Sequence, residues 1–155
     1  ISAAARQARA AKLKTHWLVG NLTRLPLADS CVDVLLNILT PADYAQFARV
    51  LSPGGFLVKV LPGTRYLEQV RTEVADHLRR GTYSNQPVLE HLEAHGRIVE
   101  QHSVLRTFPV NPEEAAAFLA MTPMTFGLGE EARGGVTFSE ITIDLEILKV
   151  KLEAL

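Results

Sequence analysis

Two asparagines stand where short apolar runs give way to turns: Asn21 after Trp17-Leu18-Val19-Gly20, and Asn37 after Val32-Asp33-Val34-Leu35-Leu36. A carboxamide offers both donors and an acceptor, so at such a position it can meet a ligand or simply close a turn. Ligands of open α/β sheets gather outside the carboxyl ends of the strands, which is where Asn37 falls. No glycine precedes Gly20, so no Gly-rich turn ahead of it can hold a ligand's charged end. Other chemistries lack their residues. His16, His77, His91, His95 and His102 show no ligand spacing supported by cysteine or carboxylate partners. His91 and His95 can share a helix face, but without further ligands they read as ordinary surface histidines, and no metal is expected. Cys31 sits at a turn-to-strand transition without a nucleophile motif and reads as a structural thiol. There is no Ser-His-Asp order, no acid/base carboxylate pair and no phosphate loop, so the catalytic residues stay unknown.

The elements that must position these residues follow from pattern. Ser2 can cap an alanine-rich helix to about Leu13. His16–Gly20 reads as a short strand, and Val32–Ile38 as a strand covered on both faces because its apolar run barely alternates. Pro41 suits the first turn of a helix to about Leu51, with Tyr44, Phe47, Ala48 and Leu51 on one face. Ser52-Pro53-Gly54-Gly55 ends that helix in a sharp turn before a buried strand, Phe56–Leu61, which Pro62-Gly63 breaks. Tyr66–Arg80 reads as a helix with Leu67, Val70, Val74 and Leu78 on one face, Gly81–Pro87 as a loop, and Val88–His95 as a short helix ended by Gly96. Ile98–Phe108 reads as a long strand and Pro112–Met121 as a helix with Glu113-Glu114 in its first turn. Val136–Leu152 alternates with one phase slip and reads as a strand antiparallel to Ile98–Phe108.

Length and composition narrow the class. The 155 residues make one domain's worth of chain, enough for a sizeable core. With 16 basic and 17 acidic residues, bulk charge advertises no nucleic-acid partner, although a local patch can still serve. A single cysteine excludes an intramolecular disulfide framework and suits a reduced, cytoplasmic setting. No apolar run approaches the ~20 residues of a membrane span, so no membrane partner is expected.

Gly20-Asn21 with Leu25-Pro26-Leu27, the Asp33-containing strand and Pro53-Gly54-Gly55 together resemble the post-adenosine half of class I S-adenosylmethionine (SAM) methyltransferases, over about Ile1–Leu61. Leu61-Pro62-Gly63-Thr64-Arg65-Tyr66-Leu67 and Ala120-Met121-Thr122-Pro123-Met124-Thr125-Phe126 resemble signatures of the large-subunit rRNA guanine-N1 methyltransferases. Asn37-Ile38-Leu39-Thr40-Pro41 also fits, so the resemblance runs through essentially the whole chain. The departures are a missing cysteine cluster, a missing first strand with its acidic-Gly-x-Gly turn, and a missing second strand whose terminal acid would grip the ribose. Ile1 resembles the residue just beyond that acid. Residues 1–155 are therefore read as a single C-terminal portion of the domain.

The resemblance implies SAM contacts at Gly20, Asn21, Leu22, Asn37, Ile38 and Leu39. Asn21 would meet an adenine edge and the Leu22 N–H a ring nitrogen, unless Gly20-Asn21 only makes a turn. Asn37 would touch the methionine portion of SAM or the incoming base, unless it only closes the turn before Pro41. Ile38 and Leu39 would line the cofactor with main chain and aliphatic surface. Arg24 and Arg65 would lie near RNA phosphates, Arg65 better placed by Pro62-Gly63, unless both are merely solvated. Met121-Thr122-Pro123 and Phe126 would wall the target guanine, unless that helix end only packs on the core. No group stands out to accept the guanine N1 proton.

The expected fold is an α/β, incomplete Rossmann-like class I methyltransferase sheet that lacks the first two strands and ends in an antiparallel pair. Losing the sheet's centre would bare the edge of Val32–Ile38, an association site. Either a homodimer forms there or His16–Gly20 shifts into direct pairing. The intact parent would transfer a methyl from SAM to guanine N1 of 23S rRNA, while this chain alone binds SAM weakly or not at all and is inactive. A class I methyltransferase for a small molecule, and a non-catalytic RNA-docking or dimerising module, stay open as alternatives.

Overall fold

The computed structural model describes residues 14–74, 84–126 and 135–153, together with residues 6, 9, 10 and 12. Four strands form one mixed sheet: β1 (Val32–Ile38), β2 (Leu51–Pro62), β3 (Gly96–Pro109) and β4 (Glu140–Leu152). Their order is β1-β2-β4-β3. β1 runs parallel to β2, with Asn37 opposite Lys59, whereas β4 is antiparallel to both β2 and β3. The expected mixed sheet with its C-terminal antiparallel pair is thus present.

Among the described residues, four α-helices pack on the sheet: α1 (Tyr44–Val50), α2 (Glu68–Glu73), α3 (Gln86–Glu93) and α4 (Pro112–Met121). On one face Tyr44 and Phe47 of α1 and Leu92 of α3 bury against Leu57, Leu61, Leu148 and Val150. On the other, Val70 of α2, with Leu67 and Val74 at its ends, and Leu119 of α4 bury against Ile141. The split follows from strand alternation: Ile141 has odd parity along β4 and Leu148 and Val150 even, so they point to opposite sides.

Several expectations change. His16–Gly20 is not a strand: residues 14–20 carry no regular structure and are exposed, Val19 at 89%. A strand exists through its partner, and among the described residues none borders this segment; the direct-pairing option for β1 is therefore not taken. Nor is β1 covered on both faces. Leu35 packs against the Tyr44–Phe47 side, but Val34, Leu36 and Ile38 are exposed, Leu36 at 63%.

Pro41 does not open α1. The Asp43 carboxylate caps the helix by accepting from the Gln46 N–H at 2.9 Å, so the helix begins at Tyr44 and Pro41 stays in the preceding loop. The Ser52–Gly55 turn lies inside β2 instead of before it. Val32 pairs with Leu51 and Val34 already with Phe56, so four β2 residues loop out around Gly54 at φ +86°. The last strand starts at Glu140, later than Val136, and α3 starts at Gln86, earlier than Val88. The Ser2–Leu13 helix, and the stretch holding His77 and Leu78, fall mainly or wholly outside the described residues. No helix among the described residues is long and apolar enough to cross a membrane.

Candidate functional site

Parallel strands β1 and β2 both end at the same edge of the sheet, and a cleft of about 840 Å³ lies over that edge. Such a volume suits a small-molecule ligand. The loop after β1 supplies Leu39, Thr40 and Pro41, and the end of β2 supplies Lys59, Leu61 and Pro62. Tyr44 and His91 enter from one helical layer, and Tyr66 with Met121–Pro123 from the other. The walls are mostly apolar, and no carboxylate is among the described lining residues.

Beneath the cleft lies a buried polar cluster. Asn37 and Lys59 are 5% and 3% exposed. The Lys59 ammonium donates to the Asn37 Oδ1 and, at 2.9 Å, to the Thr40 carbonyl. The Asn37 Nδ2 in turn donates to the Thr40 Oγ1 at 2.7 Å and to the Pro41 carbonyl at 2.9 Å. The cluster ties the loop after β1 to strand β2. No carboxylate among the described residues forms an ion pair with Lys59. Burial lowers its pKa from the usual lysine value, because desolvation disfavours the charged form. The Tyr44 and Tyr66 phenols are raised by the same cause.

Backbone strain gathers here too. Leu39 and Leu67 both sit in the left-handed region at φ +52°, and both line the cleft. A non-glycine residue so held costs on the order of 1–3 kcal/mol and persists where its surroundings over-determine it. The Leu39 N–H to the Val60 carbonyl (3.1 Å) and the Leu67 N–H to the Thr142 carbonyl (2.9 Å) supply that constraint.

Of the residues singled out from sequence, the cleft brings together Leu39 and Pro123, with Met121 and Thr122 beside them. Asn37 lies behind the wall, its carboxamide committed to Lys59, Thr40 and Pro41. Ile38 is on the bare face of β1. Phe126, 63% exposed, follows the turn Pro123–Thr125. Gly20, Asn21, Leu22 and Arg24 are not among the lining residues. The Asn21 Oδ1 accepts from the Thr23 N–H and hydroxyl, both at 3.0 Å, and Leu22 packs against the Tyr44–Phe47 cluster. A side chain on Gly20 would sit 2.6 Å from the Pro26 ring, so this turn needs glycine. Arg65 is paired in bidentate fashion with Glu68 at 2.7 and 2.9 Å, which raises its pKa and lowers that of Glu68. His91 and His95 do share a face, 4.6 Å apart, and pack against the Tyr44 ring.

Sequence reasoning passed over Lys59, Tyr44 and Tyr66 as site residues. The signal for Lys59 was a lone charge inside Phe56–Leu61, a run otherwise apolar enough to be buried.

No family model matches the chain. Sequence comparison does find named relatives. The chain is 32% identical over 139 residues to "Putative 23S rRNA (guanine-N(1)-)-methyltransferase YxjB" of Bacillus subtilis (strain 168), an alignment covering 85% of this chain and 48% of that protein. It is 26% identical over 102 residues to "23S rRNA (guanine(748)-N(1))-methyltransferase" of Streptomyces fradiae, covering 66% of this chain and 36% of that protein. The chain thus spans about half the length of the Bacillus subtilis relative, and less of the other. Among solved structures, a "putative methyltransferase" from Bacillus halodurans C-125 superposes with TM-score 0.57 at 14% identity, over 96% of this chain and 77% of that one. The PH0226 protein of Pyrococcus horikoshii OT3 gives 0.53 at 8% identity, over 99% of this chain and 66% of that one. The fold is that of the class I methyltransferases.

Proposed function

We propose that this chain, a sequence relative of 23S rRNA guanine-N1 methyltransferases carried on a class I methyltransferase fold, furnishes the methyl-acceptor side of such an enzyme. In this reading the intact protein moves a methyl group from SAM to N1 of a guanine in 23S rRNA. The observation that carries it is the apolar cleft over the carboxyl ends of β1 and β2, in a chain whose sequence likeness extends over 85% of its length.

SAM, when bound, supplies an electrophilic methyl on sulfur. The residues here fit part of it. Leu39 and its neighbours offer the aliphatic wall expected beside a thioether, whereas Ile38, exposed on β1, is not among the described lining residues. The cleft's described lining offers no carboxylate for ribose hydroxyls, and Gly20, Asn21 and Leu22 lie apart from it. The chain by itself therefore binds SAM weakly and does not turn over, and Gly20–Leu22 contribute an adenine wall only in the intact protein. Methyl transfer is largely a matter of alignment, so this chain's task is to hold the base flat with N1 facing the methyl. Pro123, Met121 and Tyr66 form walls for such a ring. Phe126 and Arg24 lie outside the cleft, where RNA flanking the base would pass, and Arg65 would reach a phosphate only by leaving Glu68. The bare edge of β1 makes a homodimer the expected state of the isolated chain.

A chimera tests the reading: this chain replacing the aligned region of the Bacillus subtilis relative, expressed in cells lacking the native protein. N1-methylguanine should appear in digests of their 23S rRNA by mass spectrometry. The chain alone should yield none, and should show no calorimetric SAM binding tighter than about 100 µM, near 5.5 kcal/mol. A folded, SAM-binding chimera that methylates small molecules but leaves rRNA unmodified would overturn the rRNA assignment, and tight SAM binding by the chain alone would overturn the partial-site reading.

A further inference from the structure

Lys59 is a buried, charged side chain at the cleft to which the proposed methyl transfer has so far given no role. It lines the cleft and is 3% exposed. An ammonium has three donors, and two of them are accounted for by the Asn37 Oδ1 and the Thr40 carbonyl. Among the described residues nothing acidic lines the cleft to balance the charge; Tyr44, Tyr66 and His91 are the other titratable groups of that described lining. A buried cation without a counter-charge is costly unless an electron-rich atom meets it. A ligand in the cleft can bring a further such atom to the third N–H.

We propose that Lys59 donates its third N–H to the exocyclic oxygen of the acceptor base, O6 of guanine, and so selects that base and favours its reactive form. The inference rests on the base-pocket reading of the cleft. In the reaction the N1–H bond breaks and its proton passes to water. The N1 electron pair forms the bond to the methyl carbon, and the carbon–sulfur pair stays on sulfur as SAM becomes S-adenosylhomocysteine. When N1 loses its proton, negative charge spreads over N1 and O6. A cation already fixed at O6 stabilises that charge without reorganising. Lys59 neither gives nor takes a proton. Adenine presents an amino donor at the same position and would face Lys59 donor to donor, so it is rejected.

The test titrates the 155-residue chain with guanosine, with 2-aminopurine riboside, which lacks O6, and with S-adenosylhomocysteine. Calorimetry reads affinity, and the lysine Cε resonance of Lys59 reads contact. Guanosine should move that resonance and bind about tenfold to a hundredfold tighter than 2-aminopurine riboside, the range for a charge-assisted hydrogen bond. In Lys59→Met and Lys59→Gln the ratio should fall to about one. Equal binding of the two nucleosides by the unmutated chain overturns the inference, as does a ratio that survives both substitutions. A Lys59 resonance moved by S-adenosylhomocysteine but not by guanosine also overturns it, placing the acceptor oxygen on the cofactor's carboxylate. Failure of both nucleosides to bind instead overturns the base-pocket reading, and this inference with it. The measurements on the unmutated chain stand even where a Lys59 variant fails to fold.

Discussion

Asn37 and Lys59 face each other across the parallel β1–β2 pair, and each satisfies what the other cannot get from water. Removing one partner of a buried hydrogen bond costs more than the bond's net worth, because the survivor stays desolvated. Asn37→Leu leaves the Lys59 ammonium with the Thr40 carbonyl and deprives the Pro41 carbonyl of its donor. We expect a loss of about 1–3 kcal/mol, the cost of an unsatisfied buried group, read as a lower urea midpoint at unchanged slope. Asn37→Asp should lose less, because a carboxylate still accepts from Lys59. A loss for Asn37→Leu within the noise of a surface substitution would mean that the cluster is not buried in solution. Two roles for Asn37 were legible in the sequence, ligand contact and turn closure. The deciding fact, its pairing with a lysine 22 positions away, is set by strand register, which no local pattern encodes.

Two elements are legible in the sequence to the residue, whereas a strand-like segment without a partner and a helix start set by an unforeseen cap are not. Strand β1 and helix α4 occupy the expected ranges, Val32–Ile38 and Pro112–Met121. For α4 the reason is local: Asn111 and Glu114 form a reciprocal capping box, with both hydrogen bonds at 2.9 Å. His16–Gly20 had strand-like composition but has no described neighbour to pair with, and composition cannot supply one. Pro41 was a fair helix start by propensity, yet Asp43 satisfies an amide donor of the first turn, which Pro41 cannot. If the box is what fixes α4, Asn111→Ala should cost about 0.5–2 kcal/mol. It should also raise amide exchange in the first turn of α4 and, through Met121–Pro123, loosen the cleft wall. Unchanged exchange in that turn would show that packing of Ala115 and Leu119, not the cap, sets where the helix begins.

At the scale of the whole molecule, the sheet has two edges, β1 and β3, and neither has a further described strand beside it. β3 is held to β4 by a long antiparallel ladder, and β1 pairs with β2 in parallel. Along its uncovered face Val34, Leu36 and Ile38 alternate outward as an apolar row. A parallel edge of this kind offers unpaired backbone groups and apolar side chains together, the combination by which sheets extend themselves. Two copies related by a twofold axis can meet there, each presenting the same strand to the other. Sedimentation should therefore show this chain associating as its concentration rises. Leu36→Lys alters a side chain 63% exposed in the single chain, so its fold should be barely disturbed, within about 0.5 kcal/mol. The same substitution puts a buried charge at the paired face, so association should weaken by tenfold or more, about 1.4 kcal/mol. Lys149, which belongs to a different strand and pairs with Glu100, gives the control: Lys149→Gln should leave association unchanged. A chain that stays monomeric at every concentration, with β1 still bare, would show that this edge is not an association site.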